Sequence, residues 1–364
     1  MRICHVIDSM DVGGGQKLVH DLAIAQLQLG YQVEVLSICY TKNFLTQELN
    51  ENGIKTLFVY KQKKNLRNPV TPFFLRRYLK GVDIVHVHLF PANYWCALYK
   101  KFVNPKAIVI TTEHSTNNKI RSKSLFRPLE RFIYKQFDAV VGCSVKATDT
   151  LNTFLNSTRV VTIENGVNTK KFSKAEPYCK SSILGEKNAN KKILMMVARF
   201  WPPKDQNTII RSLKYLDKDV VVVFVGDGEK LNESKEFVQR QGITDRCFFL
   251  GLRNDVERLV STSDINILSS QWEGLSLSSV ECMSAFKPFI GTDVQGIKEI
   301  VEDAGLLFEY GNDKQLADCI NSLLSDPSKY KEIASKCKQR AMKYDIIRCC
   351  NHYLALYNLC LNSK

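Results

Sequence analysis

The chain has 364 residues, of which 51 are Lys or Arg and 37 are Asp or Glu, so its formal net charge is +14. Apolar residues make up 45% of the sequence and charged residues 24%, which excludes a mainly disordered chain and suits about two domains. No apolar run approaches the roughly 18 residues of a membrane-spanning helix. The first residues have a strand pattern rather than the layout of a secretion signal, so we expect a cytoplasmic protein.

The positive charge is concentrated in the first half of the chain. Residues 1–178 contain 25 basic and 13 acidic residues, whereas residues 179–364 contain 26 and 24. This asymmetry indicates an anionic partner for the first half: a phosphate-bearing substrate, an acidic membrane surface or nucleic acid. The 12 cysteines are scattered and form no C-x-x-C pair, so we expect reduced thiols and no metal site.

Strand-like and helix-like segments alternate along the whole chain, which is typical of an α/β fold. In the first half, strands are predicted at 2–8, 32–39, 83–88, 107–112, 138–143 and 159–163, with a helix at 15–29 after the first strand. The alternation resumes with strands at 192–198, 220–225, 247–250 and 265–268. A long amphipathic helix at 345–361 ends the chain.

This order of elements predicts two Rossmann-like, doubly wound domains that face a cleft. We expect the first domain over residues 1–172 and the second over 191–343. Residues 173–190 have the polar composition of a linker. Residues 344–364 are expected to form a C-terminal helix that packs back on the first domain.

A glycine run from Gly13 to Gly15 follows the first strand and precedes the first helix. Glycines at such a position let backbone N–H groups approach a phosphate at the positive end of the helix. Leu18 stands where the dinucleotide-binding fingerprint requires a third glycine, so an NAD site is not indicated. A phosphate loop and a tight turn without a ligand both stay open.

The segment from Glu273 to Glu281 follows a predicted strand and enters a helix near Ser276. The backbone N–H groups of Gly274, Leu275 and Ser276 would then lie at a helix N-terminus, where they favour an anion. The two carboxylates can bind hydroxyl groups of the same ligand. In the alternative interpretation, Ser276 is only an N-cap and Glu281 a solvated helix residue.

Arg199 ends the predicted strand at 192–198, and Lys204 follows in the next loop. Open parallel sheets bind ligands at the carboxyl ends of their strands, and two fixed cations suit a pyrophosphate. Gly226 lies in a second strand-end loop and belongs to the same predicted site. Solvated surface charge is the alternative for Arg199 and Lys204.

His114 follows the predicted strand at 107–112, at the corresponding end of a strand in the first domain. A lone histidine is more often structural, and we interpret His86 and His88, within the strand at 83–88, in that way. His114 is by its position the better candidate for a functional role.

Two stretches of the first domain, at 72–80 and 119–135, combine basic with aromatic and aliphatic residues at helical spacing. Their predicted contact residues are Arg76, Arg77, Arg127 and Arg131. Such helices suit an anionic membrane surface. A core-facing helix with a solvated basic face is the alternative for each stretch, but the excess charge of the first half favours the membrane.

Taken in order, these elements resemble the family-4 retaining glycosyltransferases of the GT-B fold. The residues that carry the resemblance are Gly13-Gly14, Asn165-Gly166-Val167, Val197-Ala198-Arg199 with Lys204, Val225-Gly226-Asp227-Gly228, Gly251 with Asp255-Val256, and Glu273-Gly274 eight residues before Glu281. The two glutamates with the upstream cations are the most specific element. The resemblance implies a first domain that takes the acceptor and a second that takes a nucleotide sugar, without a metal ion or cofactor.

The resemblance also implies which residues hold the diphosphate of that donor. Arg199 and Lys204 would bind it from the second domain, in the site to which Gly226 belongs. Gly13 and Gly14 would approach it from the first domain.

The remaining residues would contact the sugar and the ribose. Glu273, with the amides of residues 274–276, would hold the donor sugar and a phosphate, and Glu281 the ribose hydroxyls. His114 would contact the sugar near the reacting carbon. His114 and Glu273 are therefore the predicted catalytic residues.

The predicted function is a metal-independent retaining glycosyltransferase of cell-surface polysaccharide synthesis. It would move a hexose or N-acetylhexosamine from a UDP-sugar to a glycan acceptor on a lipid carrier, at the inner face of the cell membrane. A sugar-nucleotide epimerase of the same fold is one alternative. A nucleic-acid-binding protein is another, supported by the charge alone and lacking a recognisable binding motif.

Overall fold

The structure, a computed structural model, describes residues 1–114, 123–156 and 160–363. It consists of two compact units, Met1–Gly166 together with Ile346–Lys364, and Val167–Asp345. Each unit is a parallel sheet connected by helices, which confirms the predicted α/β architecture.

The described residues of the first unit form a seven-stranded sheet in the order β3-β2-β1-β4-β5-β6-β7, and all neighbouring strands are parallel. The strands are β1 (Arg2–Ile7), β2 (Gln32–Cys39), β3 (Lys55–Tyr60), β4 (Ile84–His88), β5 (Val109–Glu113), β6 (Ala139–Gly142) and β7 (Val160–Thr162). Apart from Arg2, the residues of β1 are buried, as expected for a central parallel strand covered on both faces.

Helices cover both faces of this sheet. They are α1 (Gly14–Gln28), α2 (Phe44–Glu51), α3 (Thr71–Tyr78), α4 (Ala92–Phe102), α5 (Arg127–Tyr134) and α6 (Val145–Leu155). Cys4 and Val6 of β1 pack with α3, α4 and α5, whereas Ile3 and Ile7 face α1 and α2 on the other side. His5 shares the second face, which places its ring beneath α1.

The second unit, all of which the structure describes, forms a six-stranded parallel sheet in the order β10-β9-β8-β11-β12-β13. Its strands are β8 (Lys192–Val197), β9 (Val220–Val225), β10 (Cys247–Phe249), β11 (Ile265–Leu268), β12 (Phe289–Thr292) and β13 (Leu306–Phe308). All residues of β9 are buried. Its uninterrupted apolar run is the pattern of a central strand with both faces covered.

The helices of the second unit are α7 (Thr169–Ser173), α8 (Lys180–Leu184), α9 (Gln206–Ser212), α10 (Leu231–Arg240), α11 (Val256–Thr262), α12 (Leu277–Ser284), α13 (Lys298–Val301), α14 (Asp313–Leu324) and α15 (Pro327–Met342). Short 3-10 turns lie at Lys63–Asn65, Ser124–Phe126, Glu186–Asn188, Leu213–Tyr215 and Thr244–Arg246.

The predicted linker at 173–190 differs from what the structure shows. Residues 167–190 belong to the second unit, so the first boundary lies after Gly166 rather than after residue 172. Phe172 and Leu184 are buried in the core of that unit. Two widely spaced apolar side chains are enough to anchor this segment, and a composition dominated by polar residues conceals them.

The chain returns to the first unit with its last helix, α16 (Ile346–Asn362). Tyr353 and Tyr357 of α16 are fully buried in one cluster with Leu18 of α1 and Ile3 of β1. The C-terminal helix therefore completes one face of the first sheet.

Candidate functional site

The second unit reverses its strand order between β8 and β11, and the predicted donor residues lie at this point. Open α/β sheets bind ligands outside the carboxyl ends of the strands, where the order reverses. Arg199 and Lys204 follow β8, and Glu273 to Ser276 follow β11. The structure thus brings these two predicted groups to one edge of one sheet.

Backbone hydrogen bonds join the loops after β8 and β11. Lys204 and Ser270 form an isolated antiparallel bridge, and the N–H of Gln271 donates to the carbonyl of Pro203 at 3.0 Å. The two loops are therefore one substructure, which fixes Lys204 relative to Glu273.

Lys204 and Glu273 form an ion pair between Nζ and Oε1. Their side chains keep only 17% and 15% of their exposure, so each charge is largely removed from water and depends on the other. The pair orients the Glu273 carboxylate and neutralises much of the Lys204 charge. Lys204 is thus a weaker anion ligand than its charge alone suggested.

Arg199 is exposed, and its guanidinium has no hydrogen-bond or ion-pair partner among the residues that the structure describes. Its carbonyl accepts a hydrogen bond from Gln206 Nε2 at 3.2 Å, which fixes the main chain. The side chain is therefore available to an anion at the carboxyl end of β8.

Helix α12 begins with Ser276 as its N-cap, whose Oγ accepts a hydrogen bond from the Ser279 N–H at 3.3 Å. The N–H of Ser276 itself donates to the Gly296 carbonyl at 3.1 Å. The expectation of three available amides is therefore wrong for Ser276. Within the described chain, the amides of Gly274 and Leu275 have no hydrogen-bond acceptor, which leaves two for a ligand.

Two glycines permit close backbone contacts around these loops. Gly226 has φ +143°, and a Cβ there would lie 2.0 Å from the carbonyl oxygen of Ala198. Gly296 has φ +83°, and its Cβ would lie 2.5 Å from the carbonyl oxygen of Glu273. Packing alone therefore requires glycine at 226; its predicted role in donor binding stays a prediction.

Glu281 lies in α12, five residues after the N-cap, and is partly exposed. Its position on the first turns of the helix is that predicted from the sequence. Its role as the ligand of a ribose stays a prediction.

The first unit also reverses its strand order, between β1 and β4. Gly13 is the extended N-cap residue of α1, and Gly14 and Gly15 are its first two residues. An added Cβ at Gly14 would meet no atom within 4 Å, whereas one at Gly15 would lie 3.4 Å from the Leu89 side chain. Space beside Gly14 is thus open, as a phosphate loop requires.

His114 follows β5 at the corresponding edge of the first sheet. Its Nε2 lies 3.1 Å from Nδ1 of His88. Burial lowers the pKa of His114 to about 4, so the ring is neutral at pH 7. His114 can therefore form a hydrogen bond with a ligand but contributes no positive charge.

His5, His86 and His88 form a buried group that the sequence analysis did not identify. One ring nitrogen from each lies within 4.8 Å of the others, a spacing that a metal ion could bridge. However, His86 already bonds the hydroxyls of Thr112 (2.7 Å) and Tyr357 (2.6 Å). The geometry favours a hydrogen-bonded network, whose sequence signal is the alternation His86-Val87-His88 on one face of β4.

Asp8, directly after β1, is a second residue that the sequence analysis missed. Burial raises the pKa of its carboxyl to about 6. Its Oδ1 is buried and has no hydrogen-bond partner within the described part of the chain. A carboxyl that changes protonation near neutral pH at a strand end can contact substrate hydroxyls.

Two family models match the chain, one in each half. The model described as Glycosyltransferase Family 4 matches residues 12–171, and that described as Glycosyl transferases group 1 matches residues 184–343. The chain belongs to the family-4 glycosyltransferases.

This family-4 glycosyltransferase is similar to several curated proteins. It is 25% identical over 376 residues to UDP-Gal:alpha-D-GlcNAc-diphosphoundecaprenol alpha-1,3-galactosyltransferase of Escherichia coli, which covers 96% of this chain and 94% of the relative. It is 26% identical over 267 residues to N-acetyl-alpha-D-glucosaminyl L-malate synthase of Bacillus anthracis, covering 71% and 70%.

Solved structures share its fold. A glycosyltransferase from Rickettsia africae matches with a TM-score of 0.83 and 21% identity, over 100% of this chain and 99% of the other. Anabaena HepE in complex with UDP-glucose matches with a TM-score of 0.81 and 21% identity, over 100% of both. These likenesses support the GT-B fold of this glycosyltransferase.

The basic stretches of the glycosyltransferase lie on α3 and on the segment that leads into α5. Phe73 and Phe74 of α3 are 64% and 46% exposed, and Leu125 and Leu129 of the second stretch are 83% and 46% exposed. α3 and α5 both pack against α4. Positions 119–122 of the second stretch lie outside the described residues.

The four predicted membrane-contact arginines are exposed: Arg76, Arg77, Arg127 and Arg131. Arg131 Nε donates to the carbonyl of Phe154 at 3.1 Å, so part of its hydrogen-bonding capacity is used within the unit. Among the described residues, no helix combines the length and apolar character needed to cross a membrane.

Proposed function

We propose that this glycosyltransferase transfers a hexose or N-acetylhexosamine, with retention of configuration, from a UDP-sugar to a lipid-linked glycan. The observation that carries the donor part is the strand-end site of the second unit. There an exposed, unpaired Arg199 guanidinium lies on the same sheet edge as two amides that lack acceptors.

A diphosphate suits this set of donors. Its oxygens accept hydrogen bonds from Arg199 and from the amides of Gly274 and Leu275, and the N-terminus of α12 adds a favourable dipole. Lys204 contributes less net charge because Glu273 pairs with it. These groups stabilise the negative charge that develops on the leaving diphosphate, and we propose that they do so without a metal ion or cofactor.

The carboxylates of Glu273 and Glu281 can bind the hydroxyl groups of the donor. Glu273 is held by Lys204 and can accept hydrogen bonds from the sugar, and Glu281 can accept them from the ribose. Two carboxylate acceptors beside an anion site suit a nucleotide sugar better than a simple phosphate.

Names of relatives support the identity of both substrates. The Escherichia coli relative is named for UDP-Gal and for an acceptor on diphosphoundecaprenol. A relative from Campylobacter jejuni, 29% identical over 215 residues, is named as an N-acetylgalactosaminyltransferase that acts on a diphospho-undecaprenol acceptor. We therefore propose a UDP-sugar and an acceptor on a lipid diphosphate.

The chemical step forms one bond and breaks one. The acceptor hydroxyl oxygen bonds to the anomeric carbon, the bond from that carbon to the diphosphate oxygen breaks, and the departing phosphate takes the acceptor proton. As the family resemblance implies, no side-chain nucleophile is needed for retention.

The test is a panel of UDP-, GDP- and ADP-sugars offered with and without a synthetic lipid-diphosphate glycan. We expect product only with a UDP-sugar and the acceptor, and an α-linkage by NMR. Arg199→Ala should reduce this transfer, and Arg240→Ala, which removes another exposed arginine of the second unit, serves as its matched control. Interconversion of the UDP-sugar without any acceptor would instead indicate an epimerase.

We also propose that the first unit binds an anionic membrane surface at the inner face of the cell membrane. Exposed aromatic and aliphatic side chains of α3 and of the stretch before α5 lie beside exposed arginines. Shallow apolar insertion and electrostatic attraction can then act together, with about 1 kcal/mol for each basic residue near the surface.

Co-sedimentation with neutral and anionic vesicles tests this contact. The variant carries Glu at 76, 77, 127 and 131, and the matched control reverses four exposed basic residues of the second unit: Lys187, Lys235, Arg240 and Lys331. Both variants change the net charge equally, so a difference in vesicle binding would come from the position of the charges. We expect the variant of the first unit to bind anionic vesicles more weakly than the control. Equal loss of binding in both would leave general charge attraction as the cause.

A further inference from the structure

A chain of hydrogen bonds runs through buried side chains of the first unit from Gln26 to His114. Oε1 of Gln26 lies 2.8 Å from Nε2 of His5, and Nδ1 of His5 lies 3.1 Å from Nε2 of His88. Nδ1 of His88 lies 3.1 Å from Nε2 of His114. The four side chains come from α1, β1, β4 and the end of β5, so only the fold connects them.

Each ring in this chain is neutral near pH 7. Burial lowers the pKa of His5 and of His114 to about 4, and it lowers the pKa of His88 well below its ordinary value. A neutral imidazole has one N–H donor and one acceptor nitrogen. Neighbouring rings can therefore bond only if all of them point the same way, and the first bond sets the direction of the others.

Gln26 provides that first bond. In the orientation that the structure gives this amide, Oε1 faces His5 and Nε2 of Gln26 has no hydrogen-bond partner among the described residues. Because Oε1 only accepts, Nε2 of His5 then carries the hydrogen and Nδ1 of His5 is an acceptor. It follows that His88 and then His114 donate from Nε2. The last atom of this hydrogen-bonded chain is Nδ1 of His114, which carries a lone pair. It is buried and has no hydrogen-bond partner among the described residues.

We propose that Gln26, His5 and His88 are positioning residues that hold His114 in the tautomer whose Nδ1 accepts a hydrogen bond from a sugar hydroxyl. The sugar as ligand rests on the proposed function, but the tautomer does not. An acceptor lone pair attracts a hydroxyl group and repels a phosphate oxygen, which is itself an acceptor. His114 thereby favours the sugar over the diphosphate as its contact.

His86 provides an internal comparison because it packs beside His88 but hydrogen-bonds to other residues. Its partner Thr112 is in turn bonded to the Tyr353 hydroxyl at 3.0 Å. Tyr353→Phe removes a fully buried hydroxyl without touching the chain from Gln26 to His114. It is the matched control for the general cost of losing a buried polar group.

Nitrogen NMR of the protein labelled with ¹⁵N-histidine tests the tautomers directly, without any sugar nucleotide. The sequence has six histidines, so assignment by single substitutions is practical. We expect an unprotonated Nδ1 and a protonated Nε2 for His5, His88 and His114. If the Gln26 amide were turned around, every donor and acceptor would be exchanged, and a protonated Nδ1 on His114 would overturn the proposal.

Variants at Gln26 test the positioning role. Gln26→Met keeps the volume but removes the acceptor, so we expect mixed tautomers at His114 and about a two- to tenfold loss of kcat/KM for the sugar nucleotide. The affinity for UDP alone should not change.

Two results would refute the positioning role: an unchanged tautomer in Gln26→Met, or equal kinetic losses in Gln26→Met and Tyr353→Phe. If Gln26→Met does not fold, the measurement on the wild-type protein still decides the direction of the chain. If NMR shows the predicted tautomers but no sugar nucleotide supports transfer, the proposed function is refuted. The sugar is then also refuted as the ligand of His114, whereas the direction of the hydrogen-bonded chain stands.

Discussion

The two units share one strand order around their point of reversal but place opposite chemistry there. In the second unit the strand ends carry an exposed arginine, an ion pair and a helix N-terminus. In the first unit they carry a glycine loop and buried, neutral histidines. Backbone topology thus locates a site, whereas the side chains and their burial decide what it binds.

Burial is the physical reason for this difference. His5, His86 and His88 are fully buried, and an imidazolium there would lose its hydration without a carboxylate to compensate. In the second unit Arg199 is exposed to water, and the mostly buried Lys204 has the Glu273 carboxylate as its partner.

The largest expected effect compares the glycines of the two strand-end loops. Gly226→Ala places a Cβ 2.0 Å from a backbone oxygen at φ +143°, so we expect a loss of stability of about 3 kcal/mol or more. Gly14→Ala meets no atom within 4 Å and should change stability by less than about 0.5 kcal/mol. Urea denaturation measures both.

Gly14→Ala should nevertheless weaken nucleotide-sugar binding if the loop approaches the diphosphate. Equal stability losses in the two variants would contradict the difference in packing that the structure shows.

The next effect concerns charge at the second unit. Arg199→Ala removes a charge-assisted hydrogen bond of about 1.5–3 kcal/mol, so we expect UDP to bind roughly tenfold or more weakly by calorimetry, with stability unchanged. Lys204→Ala should also cost stability, about 1–2 kcal/mol, because it leaves the Glu273 carboxylate without its partner. If a folded variant with both Arg199→Ala and Lys204→Ala bound UDP as tightly as the wild-type protein, Arg199 and Lys204 would not be nucleotide-binding residues.

Opposite pH profiles are expected for one carboxyl of each unit. Burial raises the pKa of Asp8 to about 6, so the folded state holds its proton more tightly than the unfolded state. Stability from this group is then present at low pH and decreases as pH rises from about 4 to about 6. Asp8→Asn should therefore stabilise the protein at pH 7.5, by about 1–3 kcal/mol, but not at pH 4.

Asp255 of the second unit is the contrasting case. Hydrogen bonding from Arg253 lowers the pKa of Asp255 to about 2, so its contribution is present above about pH 4 and is lost as pH falls towards 2. Asp255→Asn should cost about 1 kcal/mol at pH 7.5 after solvent screening. Urea denaturation across pH gives both profiles, and parallel profiles would contradict the raised pKa of Asp8.

The smallest expected effect is that of chelation. If Arg199 and the amides of Gly274 and Leu275 stabilise the leaving diphosphate, and the ring nitrogens of His5, His86 and His88 are already used in hydrogen bonds, EDTA should leave both turnover and Tm unchanged. Loss of turnover that magnesium restores would place a metal at the donor. A decrease in Tm that zinc reverses would place a metal ion at the histidines.

Local sequence determined most of the elements of this protein. The apolar run Val220–Val225 is β9 and the alternating segment Gln32–Cys39 is β2, each as predicted. The six-residue strand β3 was not predicted, and neither were β12 and β13, which are short and carry little pattern of their own. β12 and β13 become strands by pairing with β11 and with each other.

The candidate donor residues were also visible in the sequence, because Arg199 and Lys204 lie in the loop after β8 and Glu273 lies in the loop after β11. The positions of the membrane-contact arginines and of Glu281 followed from helical spacing in the same way. Their roles stay predictions, since spacing along one element does not show what a side chain contacts.

Tertiary structure alone decided which of these groups are available and how they act together. Only the folded loops show that Glu273 pairs with Lys204 and that the Ser276 N–H donates a hydrogen bond to the Gly296 carbonyl. Only the sheet brings His5 and His88, 83 positions apart, into one hydrogen-bonded chain with Gln26. The physical reason is that local sequence sets the conformation of each segment, whereas burial and pairing depend on residues distant in sequence that the fold packs against it.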